Sequence, residues 1–384
     1  MGLPEETVIV YNDILFLLSQ TFMYEQVKVL AKHCNVHLMA KKFENPHKFN
    51  ADSFERTKID QPHLFADKVV SKLARKYYDT NLYFNTRTLF ELRSLLKKKN
   101  IKAIHAHFGP RALEILGIAK KHNIPLVVTF HGYDASTLLR DKEYREKLPA
   151  LFDYASKIIV VSRHMIDTLN LDEWLNKVHV IPCSVDSNKF SSDGTGPESG
   201  KVSILHAGRI AAKKGVPDLI RVFKKLSLEY PDIELHIAGD GKQFAQCREL
   251  VKEYSLEDRI HMYGAVSHEK VKELISKSDI FVLNSRVAES GDMEGTPVTI
   301  LEAMSMEKAV VSTRHAGIPH VIDHGKNGLL AEEKDNEDLR INLKRAIESE
   351  ELRLALGKAA RKTIVESFSS KKMEERIHQV FEDV

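Results

Sequence analysis

Two doubly wound α/β domains, each a parallel sheet covered by helices on both faces, are what this sequence predicts. Three observations carry the prediction. The 384 residues exceed what a single core keeps filling. Short β-branched runs alternate with amphipathic helical stretches from end to end. One Gly/Ser/Pro-rich stretch divides that alternation into two series of similar length.

The first series places strands at 8–11, 36–40, 103–106, 126–130, 158–161 and 178–181, with helical patterns such as 111–121 and 164–169 between them. Residues 191–200, SSDGTGPESG, hold no aliphatic side chain and read as the linker, which makes the domains 1–190 and 201–384. The second series places strands at 202–206, 234–238, 260–263, 280–284 and 309–312, with helices at 217–228, 242–254 and 297–306. The stretch 352–381 reads as one or two helices whose partner the pattern leaves open, a return onto the first domain included. Two such domains are expected to face each other, with ligand at the carboxyl ends of the strands.

Composition narrows the class. A hydrophobic fraction of 43% with 29% charged residues is that of a globular protein and argues against whole-chain disorder. The net charge of +3 carries no global signal for nucleic acid. Cys34, Cys183 and Cys247 are an odd number at long spacings, read as free thiols in a reducing compartment. With no n-region and no apolar run of spanning length, the expected location is the cytoplasm.

The segment Glu294-Gly-Thr-Pro-Val-Thr-Ile-Leu-Glu302 is the most informative. Pro297 suits a first helical position with Thr296 as N-cap, so a helix is expected to start there with free amides that favour a phosphate or a sugar oxygen. About 10–12 Å of helix rise would separate the two carboxylates, enough to address two parts of one ligand and too far for a hydrolytic pair. The plain alternative is a surface capping glutamate followed by an ordinary helical one.

In Gly208-Arg-Ile-Ala-Ala-Lys-Lys-Gly215, Arg209 and Lys214 flank a loop suited to clamping a diphosphate, although a solvated basic turn has the same composition. Ala238-Gly239-Asp240-Gly241 lets backbone approach a ligand, or simply closes a tight strand-to-helix turn. In the first half, Thr129-Phe-His131-Gly-Tyr-Asp134 and His105-Ala-His107 each end a strand. Two histidines two apart face the same side of a strand, as a metal would require, yet no third ligand is placed with them.

Taken in order, EGTPVTILEA with its glutamates eight apart, GRIAAKKG, IAGDG, YGAVSHEKV and GIPHVIDHGKNGLL closely resemble the retaining GT-B enzymes of glycosyltransferase family 4 over nearly the whole chain. That resemblance implies two Rossmann-like domains facing across a cleft and transfer of a sugar from a UDP-, GDP- or ADP-sugar, without a metal or other cofactor. It gives Glu294 the donor-sugar hydroxyls, Glu302 the ribose, and Arg209 and Lys214 the diphosphate. The donor pocket would be completed by Gly208, Gly239, Asp240, Gly295, Thr296 and Pro297, with Val266 near the base. His131 would touch the donor sugar at the reacting centre, and His107 and Asp134 would lie on the acceptor side. Where the family commonly carries Glu, this chain has His320, to which no role is assigned. Ser19-Gln20-Thr21-Phe22 resembles the SETF-type segment of exopolysaccharide-assembly relatives, which implies a saccharide or lipid-linked acceptor.

Residues 65–100 are locally basic, and Phe65, Val69, Leu73 and Tyr77 recur at helical spacing beside Lys68, Lys72 and Lys76. Such a helix suits weak peripheral contact with an anionic bilayer, or else an apolar core face with a solvated basic back. Two other functions fit the same motifs: a sugar-nucleotide epimerase or phosphorylase of this fold, and a non-catalytic nucleotide-sugar-binding scaffold.

Overall fold

The computed structural model describes residues 6–17, 21–192 and 200–384, with the side chains of Thr21 and Lys98 left aside. The predicted linker therefore lies mostly outside the described residues, as do Ser19 and Gln20. The chain divides into two compact units, one of Met1–Ile181 with Met373–Val384, the other Pro182–Lys372.

The first unit carries seven strands: β1 (Glu6–Leu15), β2 (Asn35–Phe43), β3 (Glu55–Lys58), β4 (Asn100–His107), β5 (Leu126–Phe130), β6 (Lys157–Val160) and β7 (Val178–Val180). They form one sheet in the order β3-β2-β1-β4-β5-β6-β7, parallel throughout. Both faces are covered, which explains why its strands read as continuous apolar runs. Ile9, Tyr11, Ile104 and Val128 pack with the helix Gly109–His122 on one side. Val8, Val10, Leu38, Val127 and Ile159 pack on the other with Met373, Ile377, Val380 and Phe381 of the helix Ser370–Glu382. Each fully buried aliphatic or aromatic chain there contributes about 1.5–3 kcal/mol.

The second unit has β8 (Val202–Ala207), β9 (Ile233–Ala238), β10 (Ile260–Gly264), β11 (Ile280–Leu283), β12 (Ala309–Thr313) and β13 (Leu329–Ala331). Their order is β10-β9-β8-β11-β12-β13, again all parallel. In each sheet the winding reverses at one strand: β1 sits between β2 and β4, and β8 between β9 and β11. A crevice opens at the carboxyl ends of such strands, where α/β sheets bind ligands.

Three details differ from the sequence reading. The helix after β11 is Val298–Ser305, with Pro297 as its N-cap at φ −66° and ψ 111°, so Thr296 is not the cap and Pro297 is not its first helical residue. The extended ψ of Pro297 delays the start by one position. Strands β3 and β13 are too short, at four and three residues, for alternation to reveal them. In the helix Phe65–Tyr78 the core-facing residues are Ser71, Ala74 and Tyr78. Phe65, Val69, Leu73 and Tyr77 are 84%, 45%, 63% and 53% exposed, which rules out the core-face alternative. Among the described residues no helix is long and apolar enough to cross a membrane.

Candidate active site

The site of the second unit grows from the ends of β8 and β11. β8 delivers His206 and then Gly208, whose missing Cβ would sit 3.9 Å from Lys214 Nζ and from His206 Nε2. Gly215 lets the chain turn back at φ 61°, and a Cβ there would strike the Asn284 carbonyl oxygen at 2.4 Å. Asn284 Nδ2 in turn donates to the Gly215 carbonyl at 3.2 Å, tying this loop to the end of β11. Gly239 and Gly241 have a packing reason of their own. A Cβ on the first would lie 1.9 Å from Gly208 O, and on the second 2.4 Å from Ile210 O, so only glycine lets the two loops touch.

Lys214 is held beneath this loop, and its Nζ lies 2.9 Å from Glu294 Oε1, both side chains about nine-tenths buried. Burial pushes the Glu294 carboxyl up, but Lys214 and Lys213 more than offset it and hold the group below its ordinary value. Its backbone N–H donates to His315 Nε2 at 3.1 Å, and His315 Nδ1 meets Glu333 Oε2 at 2.8 Å. The first bond makes Nε2 an acceptor, so Nδ1 carries the proton and donates to Glu333. Sequence reasoning missed this relay because His315 and Glu333 belong to no recognisable motif. His206 was also missed. It is fully buried, burial pulls its imidazole down to about 3, and its Nε2 has no partner.

Glu302 forms a second focus. It is 3% exposed, and its Oε1 accepts from His268 Nε2 at 2.7 Å. That hydrogen bond raises the His268 pKa against the effect of burial. Glu302 Oε2 is buried without a partner, an acceptor that a ligand hydroxyl would satisfy.

The other residues expected on the donor side are spread over neighbouring loops. Arg209 is exposed, with no ion pair for its side chain among the described residues. Asp240 is exposed and accepts from the Gly241 amide at 2.6 Å. Val266 packs half-buried against the apolar cluster of Leu205, Phe281 and Ile300. Gly295, Thr296 and Pro297 form the turn into the helix Val298–Ser305, with Thr296 and Pro297 buried.

In the first unit, β4 and β5 bring three imidazoles together. His105 and His107 ring centroids lie 4.3 Å apart, and His107 stacks on His131 at 5.2 Å and 24°. His107 Nδ1 is 3.0 Å from His131 Nε2, while His131 Nδ1 and His107 Nε2 have no partner. The His131 ring lies between Phe22 and Phe108, each with its centroid at 4.6 Å, so the described part of the SQTF segment meets this histidine. Burial pulls His131 down to about 3, keeping the ring neutral. Phe108 sits at φ 69° and ψ 138°, a strained conformation for a non-glycine residue.

Two residues expected on the acceptor side are enclosed. Asp134 is 1% exposed, and its oxygens accept from the amides of Gly109 at 2.9 Å, His131 at 2.9 Å and Gly132 at 3.1 Å. Its carboxylate is thus tied to the loop that carries His131. His107 is likewise fully buried, in contact with His131 through its Nδ1.

Comparison with known proteins follows the same division. Residues 19–189 match the family described as Glycosyltransferase Family 4, and residues 188–363 the one described as Glycosyl transferases group 1. The chain is 30% identical over 246 residues to the amylovoran biosynthesis glycosyltransferase AmsK of Erwinia amylovora, an alignment covering 63% of this chain and 60% of AmsK. It therefore spans about three-fifths of that relative's length. It is 27% identical over 306 residues to the N-acetyl-alpha-D-glucosaminyl L-malate synthase of Bacillus anthracis, covering 77% and 78% of the two chains. Among solved structures, HepE of Anabaena in complex with UDP-glucose superposes with a TM-score of 0.79 at 15% identity, over 99% of this chain and 100% of that one. That likeness is one of fold.

Proposed function

The chain belongs to the GT-B glycosyltransferases of family 4 and group 1, and from that premise we propose a retaining enzyme that moves a sugar from a nucleoside diphosphate sugar to a saccharide or lipid-linked acceptor. One observation carries the reading most: at the end of β8, where the sheet order reverses, the buried Lys214 ammonium is fixed beside Gly208 by Glu294. A fixed cation under a glycine turn is a preorganised seat for a diphosphate. In this reading Glu294 accepts from donor-sugar hydroxyls and the free Oε2 of Glu302 accepts from a ribose hydroxyl. Arg209, exposed and without an ion pair among the described residues, closes on the phosphates with the amides of Gly295 and Thr296. Val266 lies near the base.

Retention by front-face displacement agrees with where the carboxylates are spent. The bond from the anomeric carbon to the diphosphate oxygen breaks while the acceptor oxygen bonds to the same face. The acceptor's proton passes to the departing phosphate. A double displacement would need a free carboxylate, yet Asp134, the one beside His131, accepts from three backbone amides. His131 is assigned the transition-state contact, with Nδ1 as the nitrogen left for a ligand. The family relation to AmsK supports a surface-polysaccharide acceptor, and HepE, whose structure holds UDP-glucose, supports a UDP-sugar donor.

Peripheral attachment to an anionic bilayer belongs to the same proposal. Lys68, Lys72 and Lys76 are exposed, have no ion pair among the described residues, and run beside the exposed Phe65, Val69, Leu73 and Tyr77. Each lysine at an anionic surface adds about 1 kcal/mol.

A thermal-shift screen of UDP, GDP, ADP and their sugars, followed by NMR of the product's anomeric configuration, tests the function. A single preferred nucleotide and a retained anomer are expected. No stabilisation by any of them, or an inverted product, overturns it.

A further inference from the structure

Away from the site described above, the edge of the second sheet holds a cluster that the sugar-transfer reading does not use. Glu234 and His236 lie two apart on β9 and so share one face of the strand. His261 is the register partner of His236 on β10. Leu235 and Ile237 turn into the core from the other face, which leaves Glu234, His236 and His261 half-buried and reachable from solvent. The two imidazoles stack, with centroids 4.9 Å apart and planes 29° from parallel. His236 Nε2 lies 3.7 Å and His261 Nε2 3.9 Å from the same atom, Glu234 Oε2. The three ligand atoms fall within 4.8 Å of one another.

We propose that Glu234, His236 and His261 form a binding site for one divalent transition-metal ion of the Zn2+ class, which clips edge strand β10 to β9. Metal bonds of about 2.0–2.2 Å at a tetrahedral centre set neighbouring ligand atoms about 3.4 Å apart. The two imidazole–carboxylate spacings of 3.7 and 3.9 Å close with adjustments of a few tenths of an ångström, and the two imidazole nitrogens, within 4.8 Å of each other, close by a side-chain movement of at most about 1.4 Å. The outer contacts are those of a ligating histidine. His236 Nδ1 lies 2.9 Å from the Tyr263 hydroxyl, which orients the ring and leaves Nε2 as the lone-pair nitrogen facing Glu234. Glu234 Oε1 is anchored by Lys201 Nζ at 2.5 Å, so Oε2 is the oxygen turned to the imidazoles. Two imidazoles and one carboxylate with a position left for water is a ligand set that suits zinc.

The clip has a structural consequence. Among the described residues β10 pairs only with β9, and its register shifts between Met262 and Gly264. An ion bridging His236 and His261 holds the register just before that shift, and with it the turn leading to Val266.

The proposal stands apart from the sugar-transfer reading, and its test uses Zn2+ alone on the full chain. Calorimetric titration is expected to show one tight equivalent of Zn2+, with a rise in Tm. His261→Gln is expected to weaken that equivalent at least tenfold. Tyr263→Phe, which removes only the outer contact, should weaken it about 10–100-fold. Circular dichroism without metal checks that the variants fold, and the visible spectrum of Co2+ bound to the unaltered chain provides a readout free of any substitution. The chain has 18 histidines, so scattered surface binding is the competing outcome. No tight equivalent, an octahedral all-water Co2+ spectrum, or an affinity in both variants unchanged from that of the unaltered chain overturns the site.

Discussion

Lys214 and Glu294 stand eighty residues apart in the chain and 2.9 Å apart in the fold, an almost fully buried ion pair beside the Gly208 turn. Its energetics are lopsided. Removing either partner strands the other charge out of water, which costs about 3–5 kcal/mol, more than the intact pair adds.

Lys214 and Arg209 are therefore expected to separate experimentally, although both are assigned to the diphosphate. Lys214→Ala should lower stability by about 3–5 kcal/mol and turnover by at least ~100-fold. Arg209→Ala, at an exposed position, should leave stability within about 0.5 kcal/mol and still lower turnover by a similar factor. Denaturant melts with transfer rates decide it, and near-normal turnover in both variants removes the clamp.

Glu302→Gln addresses the unpartnered Oε2. A hydrogen bond to a charged acceptor is worth about 1.5–3 kcal/mol, so the donor KM should rise roughly 10–100-fold with kcat little changed. The variant should also lose preference for the nucleotide over its 2′-deoxy form. A change confined to kcat would place this carboxylate elsewhere in the reaction.

Acid should unfold the protein through its buried imidazoles. His105, His131 and His206 are each pulled by burial from 6.5 to about 3, so between those limits the unfolded chain binds protons that the folded chain refuses. Their contribution is complete above pH 6.5 and declines as pH falls towards 3. The depressed Glu294 acts in the same direction at lower pH, its share present above its unfolded value of 4.5 and lost as pH drops through the folded one. A Tm profile from pH 8 to pH 4 should fall with acidification, and less steeply in His206→Gln.

Gly239→Ala should prevent proper folding of the second unit, because its Cβ would lie 1.9 Å from a carbonyl oxygen of the neighbouring loop. Gly208→Ala meets nothing nearer than 3.7 Å, so its cost is the backbone strain of an alanine at φ 157° alone; it should fold with reduced stability, which separates a packing glycine from one bordering the candidate pocket. Circular dichroism and melting of the two variants provide the comparison.

Replacing Phe65 and Leu73 with serine should reduce sedimentation with anionic liposomes, while Lys68, Lys72 and Lys76 to glutamine should make the residual binding insensitive to salt. Stability should barely change, since these side chains are already exposed. Unaltered sedimentation counts against the membrane contact.

Much of this architecture was legible because parallel strands buried on both faces write themselves as apolar runs; β5 falls where the alternation puts it, at Leu126–Phe130. Strand β3 did not, since in ERTK only Thr57 is buried. At the site, residue types were legible and pairings were not. Lys214 and Glu294 were both singled out, but their contact follows from β8 and β11 being neighbours, which strand order decides. His315 and His206 stayed hidden because an isolated histidine in or after an apolar strand has no local pattern to distinguish a relay from a core residue. The contacts of Asp134 were hidden as well. Its setting in a histidine-glycine segment suggested an acceptor contact, whereas the carboxylate is consumed by three amides.

The helix Ser370–Glu382 covers a sheet whose strands were made at the other end of the chain. Roughly 190 residues separate Ile181 from Met373, so at about 5–20 residues per second the ribosome needs some 10–40 s to supply that cover. Throughout that interval Val8, Val10, Leu38, Val127 and Ile159 lack that part of their cover, with Val27, Val29 and Leu30 already beside them. Until that helix arrives, the nascent first unit is thus a natural client for a holdase.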